Sequence, residues 1–268
     1  LAATWSAGSA GCCQRKFQVS NRISVSVIST AASASGGASA ETFADVGSYA
    51  ATYFAAVGQA LDQRDPLVRA QVPMLAAATH EVGDPQVRHR GTIGGAIAHG
   101  DPAGDLPAVL LALGAELVVD GPTGRRTISI DDFFTGFLET ALAPDELLTV
   151  IRVPKVPDAG WSFHKFNRRA QDWAIVGVAA LLADDRAAVG LVNMDSRPVR
   201  ATATEAALAG GVDRSATTRD TTALDAAAAL AADDAAPPTD GNATAEFRKH
   251  LARVLTGRAL HEASTRRG

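Results

Sequence analysis

The residues best suited to chemistry lie between positions 90 and 105. Arg90-Gly91-Thr92-Ile93-Gly94-Gly95 is rich in glycine, and Asp105 follows ten residues after Gly95. Glycine has no Cβ, so backbone N–H groups can converge on a phosphate; Thr92 adds a hydroxyl donor, and Asp105 can accept from sugar or ribityl hydroxyls. These are the parts of a nucleotide clamp. The glycines do not follow the G-x-G-x-x-G spacing of dinucleotide-binding βαβ units, and no Lys-Ser or Lys-Thr follows to make a Walker loop. Taken alone, a T-x-G-G loop also serves as an ordinary turn.

Around this segment the pattern predicts a mixed α+β chain. Ile23 to Ile28 alternates apolar and polar residues as a half-buried strand does. Asp65-Pro66 reads as a helix start and Gly83-Asp84-Pro85 as a stop. Residues 86–101 have neither helical nor strand period and read as a loop that approaches something closely. Leu106 to Leu113, ended by Gly114, reads as a short buried helix, and Glu116 to Val119 with Arg125 to Ile130 as a hairpin. Asp131 can cap a short helix whose Phe133, Phe134 and Phe137 go to the core, and Leu147 to Val153 reads as a strand. Three strands follow, Trp161 to Arg168, Ala174 to Leu182 and Ala187 to Val192, with Asp184-Asp185-Arg186 as a turn. Arg168-Arg169 reads as a solvated hairpin tip or a subunit contact. Beyond Pro198 come helices at Ala201 to Leu208, Thr222 to Ala232 and Ala243 to Glu262, the last with Phe247, Leu251, Val254 and Leu255 on one face.

Composition narrows the function classes. Of 268 residues 47% are apolar and 20% charged, so the chain can build a core, and a formal charge of −4 provides no global field for a nucleic-acid backbone or an anionic membrane. No apolar run is long enough to span a membrane. Cys12 and Cys13 are the only cysteines, too few for a zinc cage or an iron–sulfur cluster, so any electron carrier bound here is organic. His89 and His99 read as loop histidines.

Several motifs in order are more specific than one loop. Gly83 to Gly95, Asp101-Pro102-Ala103-Gly104-Asp105-Leu106-Pro107-Ala108, Phe133-Phe134-Thr135-Gly136, Leu147-Leu148-Thr149, Lys165-Phe166-Asn167-Arg168-Arg169, Asp172 to Ala180 and Phe247 to Leu251 together resemble the flavin subunit of molybdenum hydroxylases. Within that family they look most like the carbon monoxide dehydrogenase branch. The resemblance covers residue 66 to the end. It implies a vanillyl-alcohol-oxidase (PCMH)-type FAD-binding domain over 66–157, followed at 158–268 by a three-stranded antiparallel sheet plus helical bundle. The implied cofactor is FAD, with Thr92, Ile93, Gly94, Gly95 and Ala96 at its pyrophosphate and ribityl region and Asp105 on its hydroxyls. Leu148 falls beside the adenine, Lys165 near the flavin and Trp173 against the isoalloxazine ring. The implied partners are a molybdopterin-binding large subunit and a 2Fe-2S small subunit, assembled as a dimer of heterotrimers in the cytoplasm. The flavin itself would be the catalytic group, with no side chain acting as acid or base.

Two departures stand out. Ala96 occupies a place where the family has asparagine or serine. Residues 1–65 form an Ala/Ser/Gly-rich segment in which Ser35-Gly36-Gly37-Ala38-Ser39 only faintly echoes the family's first glycine loop, A-G-G-x-S. A targeting peptide, a flexible leader and a truncated or out-of-frame start all account for that composition. Two other functions stay open on the residues alone: a flavin-free scaffold or inactive fragment, and a stand-alone flavin reductase.

Overall fold

The computed structural model describes residues 22–26, 66–183, 186–211 and 221–266. Cys12 and Cys13, the Ser35 to Ser39 loop and the Asp184-Asp185 turn lie outside the described residues. The first sheet is antiparallel with order β1-β6-β2-β3, formed by β1 (Arg22–Ser26), β2 (Glu116–Gly121), β3 (Gly124–Ser129) and β6 (Leu147–Pro154). The second has order β10-β9-β8-β7, from β7 (Gly160–Phe166), β8 (Val176–Leu182), β9 (Ala187–Val192) and β10 (Val199–Arg200). A two-stranded ribbon pairs β4 (Phe134–Gly136) with β5 (Glu139–Thr140).

Nine helices are described. α1 (Pro66–Gln71), α2 (Pro73–Glu81), α3 (Pro85–Arg90), α4 (Ile93–His99), α5 (Asp105–Leu113) and the short α6 (Ile130–Phe133) come first in the chain; α4 and α6 lie against the first sheet, whereas α2 reaches β7 and α5 reaches both sheets. α7 (Thr202–Gly211), α8 (Thr221–Ala229) and α9 (Ala245–Thr265) form the bundle on the second. One core gathers Met74, Leu75, Ile93, Ile97, Leu110, Leu117, Phe133 and Ile151; the other gathers Val178, Leu191, Leu208, Leu224, Leu255 and Leu260.

α5 joins the two halves. All nine of its residues are buried, as expected of a helix packed on several sides. It ends at Gly114, whose φ of 65° is a left-handed cap that glycine adopts without strain. Its flank lies on β8 and β9, and the approach is close because β9 offers no side chain there. A Cβ placed on Gly190 would fall 2.0 Å from the Ala108 carbonyl oxygen.

Four expectations need correction. Residues 86–101 are not an irregular loop but hold α3 and α4. Asp84 Oδ1 accepts from the Val87 N–H, Thr92 Oγ1 accepts from the Gly95 N–H, and Ile93 and Ile97, one turn apart, are buried. Caps and burial outweigh the low helix propensity of the glycines. Phe137 is not core: it is 65% exposed at the tip of the β4–β5 ribbon, while Phe133 and Phe134 pack edge to face inside. The second sheet has a fourth, two-residue strand, β10, beyond the expected three. On α9 the buried stripe runs through Arg248, Leu251, Leu255 and Ala259, and Phe247 faces outward.

Gly190→Ala is expected to destabilise the chain by about 3 kcal/mol or more, because the added methyl meets backbone rather than a movable side chain. Gly241→Ala, where nothing lies within 4 Å of the added Cβ, should stay within about 0.5 kcal/mol. Urea denaturation of both variants checks this; equal losses would remove the close packing of α5 on β9.

Candidate functional site

The site is built around the first turn of α5. Asp105 is the first residue of that helix, and the loop before it is tied by Asp101, whose carbonyl accepts from the Gly104 N–H and whose Oδ1 accepts from the Ala103 N–H. Lys165 reaches it from β7, sixty residues away in sequence. Its Nζ lies 2.7 Å from Asp105 Oδ2 and donates as well to the Glu81 carbonyl oxygen at the end of α2, 3.1 Å away. Both side chains of the pair are only 6% exposed.

Burial dominates the electrostatics of this pair. Desolvation raises the Asp105 carboxyl from its usual value to about 6, against the opposing charge and hydrogen bond of Lys165, and the nearby Glu81 carboxylate adds slightly to the rise. Asp105 Oδ1 is buried and without a hydrogen-bond partner among the described residues. An orphaned, low-dielectric acceptor is expensive to leave unmade and fits a hydroxyl donor arriving from a ligand.

α4 stands beside α5 and β6. Thr92 is buried at its N-terminus and its side-chain oxygen is taken up by the Gly95 N–H at 2.8 Å. The hydroxyl hydrogen stays free to donate, and the Ile93 and Gly94 amides precede the first intrahelical hydrogen bond. Ile93, Gly94 and Gly95 are buried and Ala96 is half-buried. Leu148 lies on β6 opposite Val119 and is buried in the first core.

Trp173 sits in the connector between β7 and β8 and is 64% exposed. Its backbone is closely held. The Ile175 N–H donates to the Phe166 carbonyl oxygen, and Ala174 packs with Ala108 of α5 and with Val192. Arg168 and Arg169 are exposed at the same connector, Arg168 touching Asn242. Structure thus unites Asp105 with Lys165 directly and attaches the Trp173 connector to the same helix through Ala108. It gives Leu148 no described contact with those three.

Two further residues brace this arrangement, Asn193, which no sequence motif marked, and Arg248, which the Phe247 to Leu251 motif contained without a role. Asn193, at a φ of 60°, donates from Nδ2 to the Ala174 carbonyl oxygen, and its N–H donates to the Pro102 carbonyl oxygen. Arg248, fully buried on α9, donates to the Ile175 carbonyl oxygen and to Asp240 Oδ2. A lone arginine among the apolar positions of the last helix was the one available signal for the second.

Comparison with known proteins places this arrangement. Residues 52–156 match the family described as the FAD binding domain in molybdopterin dehydrogenase, and residues 161–263 match the CO dehydrogenase flavoprotein C-terminal domain. The first match begins upstream of residue 66, where the motif resemblance starts. The chain is 37% identical over 203 residues to the carbon monoxide dehydrogenase medium chain of Afipia carboxidovorans, covering 74% of this chain and 68% of that one. It is 46% identical over 123 residues to the nicotine 6-hydroxylase medium subunit of Paenarthrobacter nicotinovorans, covering 45% and 43%. Its fold is similar to the carbon monoxide dehydrogenase of Hydrogenophaga pseudoflava that lacks the Mo-pyranopterin moiety, with a TM-score of 0.72, 38% identity, and 79% and 74% of the two chains covered. Fold and site together define a flavoprotein subunit of an oxidoreductase. More narrowly, the chain belongs to the family of FAD-binding medium subunits of the molybdenum hydroxylases. Among the described residues no helix is long and apolar enough to cross a membrane, and no group of three or more His, Cys, Asp or Glu is placed to hold a metal ion.

The sign of the Asp105 shift yields a test. A carboxyl whose folded value lies above its unfolded one favours folding at acid pH, and that contribution is lost as pH rises through about 6, by about 3 kcal/mol in all. Lys165→Met removes the countercharge and pushes the carboxyl up further. Stability should fall by about 3–5 kcal/mol at pH 8 and by clearly less at pH 5, where protonation relieves the buried charge. Denaturation at the two pH values reads the difference; the same loss at both would show that the pair is not ionised in the folded chain.

Proposed function

We propose that this chain is the FAD-carrying electron-transfer subunit of a molybdenum hydroxylase, passing electrons from the iron–sulfur clusters of a partner subunit to an external acceptor. The observation that carries the reading is the buried, unpartnered Oδ1 of Asp105, on a helix that packs against α4 and its capped Thr92–Gly95 turn, in a chain whose family binds FAD. Residues 66–157 form the FAD-binding part, of the PCMH type, and 158–268 the C-terminal domain. Thr92, Ile93, Gly94, Gly95 and Ala96 line the pyrophosphate, and Asp105 accepts from a ribityl or ribose hydroxyl. Leu148 packs beside the adenine and Trp173 covers the ring.

When bound, FAD supplies a carrier that takes up an electron pair and gives it away singly or together. The chain contributes orientation and charge. Lys165 keeps Asp105 Oδ2 occupied, so that Oδ1 is the oxygen left for the ligand. The ammonium remains close enough to favour negative charge nearby, its field offset by the carboxylate when Asp105 is ionised.

The proposed partners are a molybdopterin-binding large subunit and a 2Fe-2S small subunit, in a cytoplasmic dimer of heterotrimers. Relatives are named for carbon monoxide, nicotine, glyceraldehyde and caffeine. Such dissimilar substrates on one type of medium chain support oxidation on another subunit, with this chain serving the electron exit.

Purification tests the reading directly: a yellow protein with a flavin spectrum that travels with two unlike chains is the expected result. A chain that stays colourless at saturating FAD would favour a flavin-free scaffold. The pH dependence is a sharper measurement. A hydroxyl donating to Asp105 Oδ1 favours the ionised carboxylate, so FAD affinity should weaken as pH falls through about 6. The loss is bounded by one charge-assisted hydrogen bond, about 10- to 100-fold. Asp105→Asn should bind FAD more weakly and show no such pH dependence in titrations between pH 5 and 8.

A further inference from the structure

The indole of Trp173 is mostly exposed, so its position is not set by packing of the ring itself. It is inherited from the backbone that follows. Two consecutive carbonyls there are held by side chains from elsewhere in the fold: Asn193 Nδ2 donates to the Ala174 oxygen at 2.8 Å, and Arg248 donates to the Ile175 oxygen. Asn193 also reaches the other side of the site. Its backbone N–H donates to the Pro102 oxygen at 2.7 Å, in the turn that leads three residues later into Asp105.

The backbone of Asn193 pays for this placement with a φ of 60°. Glycine would sit there without strain, whereas a side chain in the left-handed region is tolerated best when it is asparagine or aspartate. A residue that bears the strain and spans two loops with a half-buried amide has a use for its side chain. We propose that Asn193 is a positioning residue that sets the Trp173 indole relative to Asp105, acting through the Ala174 carbonyl on one side and the Pro102 carbonyl on the other. Arg248 holds the next carbonyl and so limits rotation of the same connector. The proposal rests on the reading of Trp173 as the cover of the flavin ring.

Asn193→Gly keeps the backbone conformation and removes the amide; Asn193→Asp keeps the shape and the φ preference but replaces the donor with an acceptor. Hydrogen exchange on the full chain without FAD gives the first readout. Loss of one hydrogen bond should speed exchange of the Ile175 amide by about fivefold in both variants, with the α9 amides unchanged. Unchanged exchange at Ile175 would overturn the proposal. The second readout is emission from bound FAD, which a stacked indole quenches. Asn193→Gly should raise it toward the level of Trp173→Ala and should add nothing in a Trp173→Ala background. An equal rise in both backgrounds would mean that Asn193 does not act through Trp173, and overturns the proposal. If Trp173→Ala binds FAD with emission unchanged, the reading of Trp173 as the ring's cover is what fails, and the proposal built on it falls for that separate reason. Should glycine loosen the fold, Asn193→Asp carries both measurements.

Discussion

Two opposite charges stand 2.7 Å apart inside this protein, at Lys165 and Asp105, with almost no access to water. Removing both from solvent costs more than their attraction returns, which is why the carboxyl is displaced toward neutrality in spite of an ammonium at hydrogen-bond distance. A pair of that kind is a poor device for stability. Its geometric consequence is larger: one side chain, near the end of β7, ties the end of α2 to the start of α5, and leaves a single carboxylate oxygen free of donors among the described residues. In the proposed function that oxygen is the one that meets the ligand.

The pair can form only because the two halves of the chain meet closely. α5 is buried on all sides and lies against β8 and β9, where Gly190 admits the Ala108 backbone at a distance no side chain would permit. From that contact the site radiates in both directions. α5 starts at Asp105, and Ala108, three residues on, clusters with Ala174, which carries Trp173. A rigid helix between two sheets thus sets the spacing of groups that come from distant parts of the sequence, in keeping with the need to hold a flavin against fixed partners.

Much of the site was legible before the fold. Thr92 to Gly95 and Asp105 drew attention by residue type, and the motif run from Gly83 to Ala180 resembled the family to which the chain belongs. The α4 helix was less legible, since two glycines in its first turn contradict helix propensity, and the Thr92 cap that offsets them acts only once Ile93 and Ile97 have a core to enter. Phe137 was misread because a phenylalanine beside two buried ones looks like core; its place at a ribbon tip depends on where the chain turns, which period alone does not reveal.

By itself the amino-acid order determined the local elements whose signals are local: the hairpin of Glu116 to Val119 with Arg125 to Ile130, the helix closed by Gly114, and a last helix from near Ala243. Residue types also restricted the electron carrier to an organic one, because only two thiols are present. Tertiary structure alone decided that Lys165 meets Asp105, that Asp105 keeps one oxygen unpaired, and that Asn193 and Arg248 grip the connector bearing Trp173. The reason is physical. Burial, and with it the displaced carboxyl and the orphaned acceptor, is a property of what surrounds a group in space, and the surroundings of Asp105 include Glu81, 24 positions before it, and Lys165, sixty positions after it.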